Sequence, residues 1–254
     1  MAVTKEQILY ALQLAGIQTG DLVLMHSALS SIGHVEGGAD AVIDALVEAV
    51  GPTGTIAMST LSFTHPFDPE ETPSAVGKIS EVFRKRPGAV RSRHPIHSIT
   101  AMGARAEALC ADHDKAPTGC GLLSPYLKLR DIGGKILLLG VDMNRNTTLH
   151  AIEDLMDSTY LETHTVPAPV YMDAETMTIT KFPPGHRDFL RFTPVLRRAG
   201  ALTHGKIGNA VIQVIDVRRM FGIGLQTLAD EPLFFMCENA ACEYCRNAAM
   251  GGNA

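Results

Sequence analysis

His150 and Glu153 stand three residues apart in the run LHAIEDL, with a second acid, Asp154, beside them. On a helix the first two share a face. A carboxylate so placed can hold an imidazole in one tautomer and stabilise its protonated form, as a general base near neutral pH requires. The same spacing also describes an exposed polar pair at a helix start. The surroundings favour chemistry. The run follows KILLLGV (135–141), the clearest central strand in the sequence, across a loop that carries Asn146, Thr147 and Thr148. Those hydroxyls, or backbone N–H groups of the turn, are candidates to meet negative charge developing on a substrate oxygen. Asp154 and Asp157 extend the acidic character along the helix.

A second group of residues is basic. Arg84, Lys85, Arg86, Arg91 and Arg93 crowd into ten positions of a chain that is acidic overall. Arginines offer fork-shaped donors and lysines point charges, the equipment for a multiply phosphorylated ligand. Arg84 to Arg86 read as a solvated helix end stopped by Pro87, whereas Arg91, Ser92, Arg93, His94, His97 and Ser98 lead into a strand and read as a binding segment. A third group, Ser27, Ala28, Leu29, Ser30 and Ser31, follows the first strand, where hydroxyls and free amides can hold phosphate or amide oxygens. Neither a G-x-x-x-x-G-K-[ST] loop nor a G-x-G-x-x-G loop is present, and no G-x-S-x-G elbow.

The remaining chemistry-bearing residues are weaker. His94 and His97 are separated by Pro95, which removes helical ligand spacing. His186 and Asp188, in GHRDF, offer a second acid for the site or a helix cap. The acids Asp68, Glu70 and Glu71 would suit a polycationic ligand, and equally suit solubility. Cys237, Cys242 and Cys245 form C-x4-C-x2-C, which reads either as a structural zinc site without an adjacent fourth ligand or as a plain cysteine-rich tail. With Cys110 and Cys120 the count is five, an odd number that argues against a disulfide framework.

The elements that must carry these residues alternate. Strands are expected at 21–26, 54–60, 97–103, 135–141 and 210–216, and helices from about Lys5 with Thr4 as N-cap, at 38–51, 104–113, 146–161, 186–200 and 217–230, the last interrupted by glycines. VPAPVYM and TMTITKF, around 173–175, read as an antiparallel hairpin. The expected fold is therefore one α/β domain over 1–254: a central mixed sheet flanked by helices, an antiparallel hairpin elaboration in the last third, and a cysteine-containing tail from 237. In open sheets of this kind ligands bind beyond the carboxyl ends of the strands.

Composition limits the partners. A net charge of −5 disfavours a general nucleic-acid surface and suits a cationic or zwitterionic small molecule. The first residues lack the order of a secretory signal, and no apolar run approaches the ~20 residues of a membrane span. A cytoplasmic protein with no membrane partner is expected, with a homodimer left open.

Taken together, HSALSSIGHVEGGADAVIDALVEAVGPTGTIAM, PSAVGKISEVFRKRPGAVRSRHPIHSITAMG and LLLGVDMNRNTTLHAIEDL resemble the aminoglycoside 3-N-acetyltransferase family, distinct from the GNAT acetyltransferases. The likeness covers most of the chain, in the same order. It implies an acetyl-coenzyme A-dependent enzyme that acetylates an amine directly, without a covalent acyl-enzyme or a catalytic metal, and so an antibiotic-modifying activity. It further implies that residues 27–31 and 91–98 hold coenzyme A, and that His150 is the base with Glu153 oriented beside it and Asp188 assisting. Ala28 departs from the pattern, standing where another serine is expected. Two other readings remain: a metal-dependent hydrolase built from His94, His97, His150 and nearby acids, and a non-catalytic protein that binds coenzyme A or a polyamine.

Overall fold

The computed structural model describes residues 2–156, 162–181, 187–239, 241–243, 245 and 246. In chain order its elements are α1 (Lys5–Leu14), β1 (Leu22–Ser27), α2 (Leu29–Ile32), α3 (Gly38–Val50), β2 (Thr55–Ser59), α4 (Lys78–Phe83), β3 (Val90–Arg91), β4 (Ile99–Gly103), α5 (Ala106–Cys110), α6 (Pro125–Ile132), β5 (Lys135–Leu139), α7 (Leu149–Leu155), β6 (Glu162–Pro167), β7 (Thr176–Lys181), α8 (Phe192–Arg198), β8 (Leu202–Ile207), β9 (Ala210–Asp216) and α9 (Val217–Asp230).

Seven strands form one mixed sheet in the order β3-β4-β2-β1-β5-β9-β8. β1 runs parallel to both neighbours, β2 and β5, and the outer strands are antiparallel. The apolar runs of β1 and β5 follow from this position. Alternate residues point to opposite faces: Leu22, Leu24, Ile136 and Leu138 enter one core with α5 to α9, and Val23, Met25, Leu137 and Leu139 enter the other with α1 and α3. A strand buried on both sides must be apolar throughout, and each fully buried leucine or isoleucine contributes roughly 1.5–3 kcal/mol. The result is three layers, helices on both faces of the sheet, as the sequence pattern implies.

Several boundaries differ from expectation. α1 has the expected Thr4 cap, completed as a capping box by Gln7. The hairpin's second strand falls at β7, but its partner β6 lies earlier, pairing Pro167 with Thr176, so that 168–175 form the connection. Pro167 and Pro169 cannot donate to a ladder, and Val170 N–H leaves the hairpin to reach the Phe67 carbonyl. The helix expected over 186–200 is a 3-10 turn, Phe189–Arg191, followed by α8. The helix expected over 104–113 shortens to α5, with a separate 3-10 turn at His113–Lys115.

α6 is an element beyond those expected, capped by Ser124 and with Pro125 in its first turn. β8 is a further strand, on the edge of the sheet. α9 continues through its glycines, and Gly224 has a reason to be there. A Cβ at that position would lie 2.5 Å from the Ile152 Cδ1, so glycine lets α9 close onto α7. Among the described residues no helix is long and apolar enough to cross a membrane.

Candidate active site

Three parallel strands end together at the middle of the sheet, and α7 starts there. β5 leads into Gly140, whose φ of 64° favours glycine. A Cβ there would overlap the Ser31 Oγ. The loop then folds on its own polar groups. Asp142 accepts from Asn144 N–H at 3.0 Å, and the buried Asn146 Oδ1 accepts from Thr148 N–H at 3.3 Å, a local turn that runs up to the first residue of α7. This fixes the start of α7, and with it the direction of His150.

His150 Nδ1 lies 2.5 Å from Glu153 Oε2. Glu153 is fully buried, and its other oxygen accepts from Arg187 Nε at 2.6 Å. A buried carboxylate is tolerable only when paired and hydrogen-bonded, and here both oxygens are engaged. The imidazole keeps a side-chain exposure of 19%, so the ring is partly exposed while its partner is sealed. Phe189 packs edge-on to it at 5.3 Å. A carboxylate on Nδ1 assigns the proton to that nitrogen and leaves the lone pair on Nε2, the arrangement of an oriented general base.

A cleft of about 440 Å³ opens one turn earlier, beyond the carboxyl ends of β1, β2 and β5. Strand order branches there in both directions from β1, so this is the switch point where open sheets bind ligands. Its lining includes His26, Ser27, Ala28, Ser59, Ser80, Asn144, Arg145 and Thr147. His26 is buried, which pushes its pKa down to about 4 and keeps the ring neutral; its Nε2 has no hydrogen-bond partner among the described residues.

The expected site residues divide. Ser27, Ala28 and Thr147 line the cleft. Ser31, whose hydroxyl donates to the Ala28 carbonyl at 2.6 Å, lines a shallower groove that shares Arg145; Leu29 packs into the core and Ser30 is exposed. Thr148 is buried. Asp154 lies so close to Gly121 that a Cβ there would overlap its Oδ2. Asp157 and His186 lie outside the described residues.

The basic segment is largely committed elsewhere. Arg91 donates to the Thr60 carbonyl at 2.6 Å, to the Pro69 and Thr72 carbonyls and to the Ser98 hydroxyl, with its guanidinium over the Phe67 ring. Ser92 and Ser98 are buried in the same network, Ser92 bonding the His113 ring at 2.8 Å. His94 Nδ1 accepts two backbone N–H groups, and its ring stacks on His113. His97 is buried, and burial, with smaller effects from His150 and His113, takes its pKa down to about 3. Of residues 91–98 only Arg93 is exposed, over the Tyr171 ring at 5.3 Å. Arg84, Lys85 and Arg86 pair with Glu81, Asp40 and Asp44; the Lys85 side chain is exposed, as expected of a solvated helix end, whereas the Arg84 side chain is buried and also donates to the Glu70 carbonyl. Asp68 caps a local turn at Glu70 and Glu71.

Two further readings concern Asp188 and the histidines. The structure sets Arg187, not Asp188, against Glu153; among the described contacts the Asp188 carboxylate reaches neither member of the pair. His94, His97 and His150 do not converge into a metal-ligand group among the described residues, and His94 Nδ1 accepts from the backbone N–H groups of Ile96 and His97.

The model for the aminoglycoside 3-N-acetyltransferase family matches residues 24–229. The chain belongs to this family. Among relatives, aminoglycoside N(3)-acetyltransferase VII of Streptomyces paromomycinus is 34% identical over 251 residues, covering 87% of this chain and 82% of that protein. Aminoglycoside N(3)-acetyltransferase III of Salmonella sp is 39% identical over 176 residues, 61% of each chain. Among solved structures, a histidine-to-alanine mutant of AAC(3)-IVa in complex with a gentamicin superposes with a TM-score of 0.91 at 28% identity, covering 99% of this chain and 98% of that one. AAC-IIIb with CoASH gives 0.81 at 27% identity, covering 91% and 97%. A family member needs an acyl-donor site and a base within reach of an amine; Thr147, which lines the cleft, accepts from His150 N–H at 3.1 Å through its carbonyl.

Proposed function

We propose that His150 is the general base of a direct acetyl transfer from acetyl-coenzyme A to the 3-amino group of an aminoglycoside. The family supplies the reaction class, an acyltransferase acting with acetyl-coenzyme A as cosubstrate. The observation that carries the residue assignment is the chain His150–Glu153–Arg187, with contacts of 2.5 and 2.6 Å, starting three residues after Thr147 of the cleft wall.

The chemistry follows from the groups present. An ammonium cannot attack a carbonyl until it loses a proton, and His150 Nε2 is the nitrogen oriented to take it. Glu153 stabilises the imidazolium that results, and Arg187 keeps Glu153 in place and charged. The donor, when bound, supplies an activated acyl thioester. Ser27, Ser59, Ser80 and the unpartnered His26 Nε2 offer the polar groups that an amide-bearing arm would need in the cleft, and Arg145, exposed at its rim, offers charge for a phosphate. Thr147, on the cleft wall, is the better placed of the two threonines to meet charge developing on the carbonyl oxygen. The relative captured with a gentamicin carries a histidine-to-alanine change, which is consistent with a histidine essential to turnover. Reduced thiols and a coenzyme A substrate favour a cytoplasmic location.

The test is thiol release from acetyl-coenzyme A with a panel of aminoglycosides and simple amines, followed by NMR assignment of the product. Release with an aminoglycoside and acetyl on its 3-amino nitrogen is the expected result. No release from any acceptor, or acetylation of a hydroxyl, contradicts the proposal.

A further inference from the structure

The segment after α9 returns beneath the catalytic pair. Met236 pairs with Arg187 in an antiparallel bridge, and Asp188 N–H donates to the Phe235 carbonyl at 2.8 Å. Phe235 packs edge-on against Phe189, the residue that also packs on His150. Arg191 ties the same segment down through the Phe234 and Met236 carbonyls, and pairs with Glu231 and Glu238. The backbone that presents Arg187 to Glu153 is therefore held by residues 231–238.

Immediately beyond lie three thiols. The sulfurs of Cys237, Cys242 and Cys245 all fall within 4.8 Å of one another, with Cys237 and Cys245 at 3.3 Å. Among the described residues this is the one group of thiol, imidazole or carboxylate ligands that converges closely enough to hold an ion. Tetrahedral zinc with Zn–S bonds of about 2.3 Å requires sulfurs roughly 3.8 Å apart, so the cluster needs only small adjustments to become a ligand set. Two features favour a bound metal ion. Cys245 N–H points at the Cys242 sulfur at 3.5 Å, where an amide would stabilise negative charge. Cys242 and Cys245 are also buried with Met236, in a small cluster separate from both main cores. So few apolar groups make a weak core, and thiolate–metal bonds are the usual remedy for a segment of that kind.

We propose that Cys237, Cys242 and Cys245 bind a structural zinc ion that locks the segment carrying them and, through the Met236–Arg187 bridge, supports Arg187 against Glu153. Binding displaces the three thiol protons to solvent and leaves the fourth zinc corner to a ligand other than these thiolates. Soft thiolate ligands select zinc over the hard divalent cations. The ion is remote from acetyl transfer chemistry, which the cleft and His150 perform.

The experiment uses the full chain, purified without an affinity tag from cells grown with added zinc. Elemental analysis is expected to find about one zinc per chain. Replacing the metal with cobalt should give a sulfur-to-cobalt charge-transfer band and the visible bands of a tetrahedral site, its intensity matching three thiolates. A chelator should lower the melting temperature, and zinc should restore it. Cys242→Ser with Cys245→Ser should abolish the cobalt bands; the wild-type spectrum stands on its own if that variant does not fold. Protein without stoichiometric metal, cobalt bound with no thiolate band, or a Cys237–Cys245 disulfide after reducing purification would each overturn the proposal.

Discussion

The start of α7 and the segment 84–98 make opposite use of their charges. The segment is the more conspicuous in the sequence, yet Arg84, Lys85 and Arg86 are neutralised by acids nearby and Arg91 is enclosed by carbonyls and the Ser98 hydroxyl. α7 carries only one histidine, whose imidazole is partly exposed, its carboxylate partner held from behind by an arginine thirty-four residues on. A dense cluster of charge describes architecture when each member has a protein partner. It describes a binding or reacting site when one polar group is held by a buried partner and stays partly exposed.

Variants can break that contrast at either end. The largest effect on stability is expected at Arg187→Met, which leaves Glu153 buried without its cation at a cost of roughly 3–5 kcal/mol. Urea unfolding would read this, and thiol release should fall with it; retained stability and retained turnover would show that the pair is ornamental. Arg91→Ala comes next, removing donors from several carbonyls at about 2–4 kcal/mol. The KM for acetyl-coenzyme A in the folded variant should nevertheless stay within about twofold. A large rise in KM with unchanged stability would restore Arg91 to the donor site. The smallest effect belongs to Arg145→Ala. An exposed charge facing a phosphate is worth about 1 kcal/mol, so KM should rise roughly fivefold with no change in melting temperature.

Much of this is legible in the sequence. The apolar runs at Leu22–Ser27 and Lys135–Leu139 mark strands buried on both faces, and the His150–Glu153 spacing needs only a helix to become a pair. Gln7 and Thr4 announce the first helix. What the sequence hides are partners brought together from afar. Arg187 sits in GHRDF, where His186 and Asp188 draw the eye, and only the return of residues 235–236 turns it toward Glu153. Ser59 and Ser80 enter the cleft from the ends of separate elements, with nothing local to distinguish them from other serines. The commitment of Arg91 is equally hidden, because its acceptors are backbone carbonyls of Thr60, Pro69 and Thr72. The hairpin shifted because its prolines have no N–H to give, a fact the sequence does contain.

The most direct test of the central assignment is the His150→Ala protein, assayed for thiol release with an accepted aminoglycoside and for acetyl-coenzyme A affinity by calorimetry. A positioned general base contributes roughly 10²–10⁴-fold, so turnover should fall by that factor while donor affinity and melting temperature hold. Turnover within a few-fold of the parent protein would contradict the account, and so would lost turnover explained entirely by lost donor binding.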